Sequence, residues 1–311
     1  MIAPVPKPTV VIHTNDQQMI AALVGAHSLK SRSRSPDRFD VRILRLEDTP
    51  ALCKRDGQKF IWWEGLKPNV WRRRDLQSFQ PLRRMVPAML NFRGRALVID
   101  PDVFAVGDVW ELLSREMDDR AILCCQKAEW REGRRLNSSA VMLLDCERLT
   151  HWRWEEELEE LFALKRELGA YLALLDEAPQ RIGHLEDEWN HCDTLTPQTK
   201  LLHITRIETQ PWKTGLLADH QRHAPPPIAS RETLKRLARR ILRGPPRQTP
   251  VHQAHPDSRQ EKLFFTMLKE CLDYGTITPR MVRKAMRKNY LRRDALTLLD
   301  GLPSGRTSIH M

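Results

Sequence analysis

Two carboxylates stand one residue apart at the end of a short apolar run. Asp100 and Asp102 flank Pro101 and directly follow Ala96-Leu97-Val98-Ile99. Carboxylate oxygens of this kind hold Mg²⁺ or Mn²⁺, which share the rest of their coordination shell with phosphate and water. The pattern therefore predicts a divalent-metal site that holds a diphosphate. The alternative is a strand end with an Asp-Pro turn and a solvated second acid.

The elements that must position these acids read as an α/β fold. The run 96–99 is short, rich in aliphatic side chains and followed by proline, which predicts a buried strand. Open α/β sheets bind ligands at the carboxyl ends of their strands, where the two acids are expected. A strand at 9–13, a helix at about 17–31 and a strand at 40–46 come first. This strand–helix–strand unit predicts a parallel sheet, and the lack of GxGxxG disfavours a dinucleotide site.

Further elements are predicted from apolar runs and helical periodicity. Short strands are expected at 121–125, 140–145 and 200–204, and a short helix at 82–90. The segment Asn137-Ser138-Ser139 is expected to form a polar turn just before the strand at 140–145.

Positive charge is concentrated in the C-terminal part of the chain. The 311 residues carry a net charge of +11, and residues 231–311 hold 18 lysines and arginines against 7 acids. Residues 1–230 are therefore neutral overall. We predict a catalytic domain over 1–220 and a basic helical region over 221–311.

The basic region is predicted to form three short helices, over 230–243, from Ser258 to Gly275 and from Thr278 onward. Basic amphipathic helices are typical of membrane surfaces, but helices packed on their own protein show the same pattern, and both interpretations stay open. An anionic membrane surface or a glycolipid fits this charge, and nucleic acid is the less favoured partner. The sequence shows neither a signal peptide nor an apolar run of about 18 residues. The chain is therefore expected in the cytoplasm, either free or peripheral on the inner membrane face.

Two other features have a structural rather than a catalytic interpretation. The six cysteines show no CxxC spacing or disulfide framework, which predicts reduced core residues. Segment 59–75 carries Trp62, Trp63 and Trp71 beside Arg72-Arg73-Arg74. Aromatic and basic residues together can hold nucleic acid, but a core edge beside a solvated loop is the favoured interpretation.

Four short motifs occur in order along residues 8–217. They are Val10-Val-Ile-His-Thr14-Asn15-Asp16, then Leu82-Arg83-Arg84-Met-Val-Pro87 upstream of Ala96–Asp102, then Leu136-Asn137-Ser138-Ser139-Ala-Val-Met-Leu-Leu-Asp145, and finally Trp189-Asn190 with Leu202-His203-Ile-Thr205 and Gln210-Pro-Trp212. Together they resemble glycosyltransferase family 8, the retaining GT-A enzymes that use nucleotide-sugars. The resemblance implies a Rossmann-like, mainly parallel sheet flanked by helices, here followed by a basic helical C-terminal tail.

The resemblance also implies roles for individual residues. Asp100, Asp102 and His203 would hold Mn²⁺ (or Mg²⁺), which neutralises charge on the leaving nucleoside diphosphate. Either Arg83 or Arg84 would contact phosphate or donor sugar. The residues assigned to the nucleotide-sugar are Thr14, Asn15, Asp16, Arg83, Asp100, Pro101, Asn137, Ser138, Gln210 and Lys213.

The sequence departs from the family pattern on the sugar side of the site. Gln210 stands where a lysine is usual, so a phosphate contact is lost unless Lys213 or Arg206 supplies it. Gln126 follows the strand at 121–125 where an acid is usual, and Asp187 is the acid nearest to the family's Asp-Gln pair. These two are the catalytic candidates. With no assured nucleophile, front-face substitution assisted by the donor phosphate fits better than a covalent carboxylate pair.

The expected function is metal-dependent transfer of a hexose, with retention, from a nucleotide-sugar to a glycan or glycolipid acceptor, and the expected donor is a UDP-sugar. Two alternatives differ in class. One is a non-catalytic protein of the same fold that binds nucleotide-sugars or glycans. The other is a sugar-nucleotide nucleotidyltransferase, which is disfavoured because its usual Gly-rich phosphate loop near the amino terminus does not occur in the sequence.

Overall fold

The computed structural model describes residues 6–131, 133–218 and 251–303. The strands are β1 (Thr9–Thr14), β2 (Asp40–Arg45), β3 (Lys59–Phe60), β4 (Asn69–Val70), β5 (Arg95–Ile99), β6 (Val103–Ala105), β7 (Ile122–Arg131), β8 (Arg134–Asp145), β9 (Ile182–His184), β10 (His191–Cys192) and β11 (Leu201–His203). The α-helices are α1 (Met19–Arg32), α2 (Pro50–Cys53), α3 (Val86–Met89), α4 (Trp110–Leu113), α5 (Trp154–Phe162), α6 (Leu168–Leu172), α7 (Ser258–Asp273), α8 (Pro279–Arg287) and α9 (Ala295–Asp300).

The central sheet has the strand order β2-β1-β5-β8-β7-β9. Only β8 among these strands runs against the common direction, because it pairs antiparallel with both β5 and β7. Both faces of the sheet are covered: Val10 belongs to a core cluster with Leu29 of α1, and Val11 to a second cluster with Val86 of α3. Strands buried on both faces read as continuous apolar runs, as β1 and β5 do. The predicted α/β fold with a mainly parallel sheet flanked by helices is confirmed.

A small second sheet joins two distant parts of the chain. Its order is β10-β11-β6, and β11 pairs antiparallel with β6 so that His203 lies opposite Val103. Since β6 follows Asp102 directly, this pairing fixes the loop between β5 and β6 against the strand that ends in His203.

The predicted turn at Asn137-Ser138-Ser139 is wrong. These residues lie inside β8, which begins at Arg134, and Asn137 pairs with Gln126 of β7. A polar run signals a turn only when the chain there faces water on all sides. Here the strand continues because Ser138 and Ser139 line a cavity, where polar side chains are compatible with a paired backbone.

The C-terminal helices pack on the rest of the protein. Phe264 and Leu268 of α7 share a core cluster with Val24 of α1 and with Trp212. The helices predicted at 258–275 and from Thr278 are confirmed, and α9 was not predicted. The helix predicted over 230–243 and the boundary near residue 220 lie outside the described residues. The division into two regions and the contact of the tail with a membrane therefore stay predictions.

Across the described part of the chain, every helix is too short or too polar to span a bilayer. All six cysteines are free, as predicted, and four of them are buried. Cys192 departs from the prediction because it is exposed and lines the same cavity as Ser138.

Glu270 ties α7 to α1. Its carboxylate accepts hydrogen bonds from Arg32 Nη2 at 3.0 Å and His27 Nε2 at 3.1 Å, and the side chain is 1% exposed. A buried carboxylate is stable in its charged form only with such partners.

We expect Glu270→Ala to lower the free energy of unfolding by about 2–3 kcal/mol, because it leaves the partly buried Arg32 guanidinium without its partner. The matched control is Glu156→Ala, since Glu156 pairs with Arg153 at 2.7 Å with both side chains more than 60% exposed. That exposed pair contributes about 0.5 kcal/mol or less. Urea unfolding measures both, and equal losses would contradict the proposed tie.

Candidate active site

Asp100, Asp102 and His203 come together beside the central sheet. One ligand atom from each lies within 4.8 Å of the other two. Asp100 follows β5, Asp102 precedes β6, and His203 ends β11, so the pairing of β6 with β11 produces the group. When each metal–ligand distance is about 2.0–2.4 Å, two ligand atoms on opposite sides of one ion are at most about 4.8 Å apart. Two carboxylates with one imidazole suit Mn²⁺, and the carboxylates also suit Mg²⁺. The residues therefore fit the predicted ion.

Asp100 is held by two donors. Its Oδ1 accepts hydrogen bonds from Arg83 Nη2 at 2.9 Å and from His13 Nε2 at 2.8 Å. Burial raises the pKa of Asp100. The Arg83 guanidinium and His13 have the opposite effect and outweigh burial, so that the pKa falls to about 2. Arg83 also donates to Ser139 Oγ. Asp100 is therefore ionised at neutral pH and fixed in place.

Asp102 has a neutral partner. Its Oδ2 accepts a hydrogen bond from Gln210 Nε2 at 3.0 Å, and its Oδ1 lies 3.3 Å from His203 Nε2. Gln210 is fully buried. The amide orients the carboxylate without neutralising it, and the cation beside Asp102 in the metal-free protein is His203, whose proton a metal ion would displace.

His203 is oriented by Asn190. Its Nδ1 lies 2.8 Å from Asn190 Oδ1, which can only accept a hydrogen bond, so Nδ1 carries a proton and Nε2 faces the carboxylates. This arrangement is the usual support of a metal-binding histidine. Burial lowers the pKa of His203, but Asp102, Cys192 and Asp100 together raise it by more than that, to about 10 in the metal-free protein. Asn190 Nδ2 also donates to Ser138 Oγ at 2.9 Å, which links the group to β8.

A cavity of about 970 Å³ opens beside this group. Its size is at the upper end of the range for small-molecule sites, so it has room for more than one compact ligand. It lies at the carboxyl end of β5, where an open α/β sheet is expected to bind ligands. The predicted site residues that line it are Arg83, Asp100, Asp102, Gln126, Ser138, Asp187 and His203.

The other predicted contacts do not line this cavity, and three of them have partners that explain why. Asn15 Nδ2 donates to the carbonyl of Asp75 at 2.9 Å, and its Oδ1 accepts from the backbone N–H groups of residues 17 and 18. Its side chain therefore has no group left for a nucleoside. Asp16 pairs with Arg45 at 2.8 Å, and Asn137 donates to the carbonyl of Ala173 at 3.3 Å.

The phosphate contacts require similar corrections. Lys213 is fully buried, and its Nζ lies 5.8 Å from the ring centroid of Tyr290. Arg84 is also buried and pairs with Asp176 at 2.7 Å and with Glu157 at 3.1 Å. Neither cation lines the cavity. Four further predicted residues are also not among those that line the cavity, namely Gln210 (on Asp102), Arg206 (on Asp193), Thr14 and Pro101.

Sequence reasoning missed two supporting residues and one part of the wall. His13 stands at the polar end of an otherwise apolar strand, which is a usable signal, and Asn190 was recognised only as part of a motif. Trp63 was expected at a core edge beside a solvated loop, but it lines the cavity. The guanidinium of Arg131 lies 4.3 Å from its ring centroid.

No protein-family model matches the chain, and no curated protein matches it. Solved structures of glycosyltransferases show a partial similarity. Glycosyltransferase GlyE of Streptococcus pneumoniae TIGR4 is 15% identical with a TM-score of 0.44, over 66% of this chain and 56% of that chain. The bifunctional glycosyltransferase WbbM is 12% identical with a TM-score of 0.44, and the match covers 69% of this chain and 48% of that chain. The chain thus spans about half the length of these two structures.

Galactosyltransferase LgtC, solved in complex with donor and acceptor sugar analogs, is 11% identical with a TM-score of 0.44. The match covers 77% of this chain and 98% of that one. At this level the similarity concerns parts of the fold, and membership of family 8 stays a prediction. The chemistry of the site has to follow from its own residues.

We expect Arg83→Met to lower the free energy of unfolding at pH 7 by about 2 kcal/mol, because the depressed pKa of Asp100 depends on this cation. A depressed carboxylate pKa stabilises the fold above the ordinary pKa and loses that effect as the pH falls through about 2. The difference between variant and wild type should therefore shrink as the pH approaches about 3. Urea unfolding at several pH values measures it, with the exposed Arg72→Met as control. A difference that stays constant with pH would contradict the assignment.

Proposed function

We propose that this chain is a metal-dependent glycosyltransferase that moves a hexose from a nucleotide-sugar to a glycan or glycolipid acceptor. The observation that carries the proposal is the group Asp100, Asp102 and His203 in the wall of a cavity of about 970 Å³. The resemblance to family 8 adds that the donor is a UDP-sugar and that the configuration is retained.

The charges of the group suit a metal diphosphate. Arg83 offsets Asp100 permanently, whereas the charge beside Asp102 is that of His203, whose proton a metal ion would displace. When bound, Mn²⁺ or Mg²⁺ would supply a Lewis acid that neutralises the leaving nucleoside diphosphate. Arg83, Gln210 and Asn190 hold the three ligands before the substrate arrives, so little reorganisation is needed at the moment of reaction.

The cavity wall offers few cations to a diphosphate, so the reaction is expected to depend on metal. Among the described residues that line the cavity, the lysine and arginine side chains are Arg83, Lys127 and Arg131. Arg83 is engaged by Asp100, and Arg131 lies on Trp63. Lys127 is the remaining cation of the three, so the diphosphate depends on the ion and on Lys127 for neutralisation.

Residues near the sugar have positioning roles. Ser138 Oγ accepts a hydrogen bond from Asn190, which leaves its own O–H to donate to a hydroxyl of the donor. Gln126 contributes an amide, which orients ligands but is a poor nucleophile. We propose front-face substitution, in which the acceptor O–H passes its proton to a phosphate oxygen of the leaving group. Asp187 would orient that acceptor.

A second candidate is a non-catalytic protein that binds nucleotide-sugars. The observation that favours it is the fully buried Lys213, which does not line the cavity and so does not replace the usual phosphate-binding lysine. A protein of this kind would bind UDP-sugars and leave them intact.

We expect Mn²⁺-dependent hydrolysis of at least one nucleotide-sugar in a panel that includes UDP-glucose and UDP-galactose. Asp100→Ala, Asp102→Ala and His203→Ala should each reduce this rate by at least about 100-fold, because each removes a ligand of the ion. Asp119→Ala, which changes a fully exposed acid, is the matched control and should retain the wild-type rate. Full activity in all three ligand variants would refute the metal site, and binding without hydrolysis would favour the second candidate.

A further inference from the structure

Helix α8 carries four exposed cations on one side. They are Arg280, Arg283, Lys284 and Arg287, which we call the basic stripe. Their spacing of i, i+3, i+4 and i+7 places them within an arc of about 100° and along about 10 Å of the helix. The helix itself contains no acidic residue.

The opposite side of α8 is fixed in the core. Val282 is fully buried and Ala285 is 7% exposed, and both belong to the cluster that joins the C-terminal helices to α1. The helix therefore has no free apolar face to insert into a lipid bilayer. The basic stripe is a rigid surface of fixed orientation.

The described residues supply no counter-charge for the basic stripe. Cations at i,i+3 and i,i+4 repel one another, as Arg280 does with Arg283 and Lys284. None of the four forms an ion pair with a residue that the structure describes. The charge of the stripe is therefore available to an external anion that recurs along its length.

The C-terminal end of α8 approaches the loop that leads to the candidate active site. The residue after the helix, Lys288, has its Nζ 3.8 Å from Asp16 Oδ2. Asp16 belongs to the loop that follows β1, and Gln18, two residues further on, lines the cavity. A long ligand whose end occupies the cavity would therefore pass near the C-terminal end of α8.

We propose that the basic stripe binds an anionic acceptor glycan, a linear polymer that carries phosphate or carboxylate groups along its length. This inference rests on the proposed transferase function and adds the chemical class of the acceptor. A narrow line of charge suits a linear polyanion better than a bilayer, because the apolar face of the helix is buried. Nucleic acid is disfavoured, since the stripe contains no aromatic side chain on which bases could stack.

The test compares two variants that each lose three positive charges. One is Arg283→Gln/Lys284→Gln/Arg287→Gln in the basic stripe, and the control is Arg72→Gln/Arg73→Gln/Arg74→Gln in an exposed loop. The probes are polygalacturonate and poly(glycerol phosphate), with phosphatidylglycerol-containing vesicles and poly(U) as comparison anions. Binding is measured at physiological salt by calorimetry or sedimentation. UDP binding with Mn²⁺ is measured in parallel for each protein.

We expect wild type to bind at least one of the two anionic polymers and to prefer it to vesicles and to poly(U). The stripe variant should lose about tenfold or more of this affinity, and the control variant less than about twofold. Equal losses, no binding of either polymer, or tighter binding to vesicles or poly(U) would overturn the proposal. UDP–Mn²⁺ binding should be unchanged in both variants, and its absence in wild type would refute the transferase function without deciding the stripe.

Discussion

The site depends on keeping two carboxylates ionised and close together in a largely buried loop. Desolvation and mutual repulsion both oppose this. The fold holds the two acids differently: Asp100 is paired with the Arg83 guanidinium and accepts a hydrogen bond from His13, whereas Asp102 accepts one from the amide of Gln210 and lies 3.3 Å from His203. The counter-charge of Asp100 is therefore permanent, and that of Asp102 is a proton on His203 that a metal ion would displace. The other features of the site serve this arrangement, including the antiparallel pairing that brings His203 opposite the residue after Asp102.

Helix α7 supports the loop that carries Gln210. Gln210 is followed by Pro211 and Trp212, and the Trp212 ring lies 4.8 Å from that of Phe264 in α7 and 5.8 Å from that of Phe104 in β6. Close aromatic packing of this kind restricts the position of the loop. Helix α7 thus also supports the residue that orients Asp102. The apolar faces of the C-terminal helices are used for packing, which leaves the exposed cations free to face an external ligand.

The strands and the two acids could be predicted from sequence because both are local signals. An apolar run that ends in Asp-Pro-Asp predicts a buried strand and its ligand-bearing edge, and the order of motifs pointed to His203. The supporting residues could not be predicted, since Gln210 contacts an acid 108 positions away, and nothing in its neighbourhood shows that it is fully buried. Asn15 illustrates the opposite error: a polar residue at a strand end looked like a ligand contact, but its side chain closes the turn into α1. Polar residues in β8 were mistaken for a turn because they face a cavity rather than solvent.

The most direct test of the central claim is electron paramagnetic resonance of Mn²⁺ titrated into the metal-free protein with UDP present. If Asp100, Asp102 and His203 hold the ion that binds the diphosphate, one equivalent of Mn²⁺ loses its free-ion signal only when UDP and the three ligands are present. Asp102→Asn should then leave most of the ion free, although the residue keeps its size and its place beside Gln210. Retention of the wild-type binding curve by this variant, or Mn²⁺ binding that is indifferent to UDP, would contradict the account.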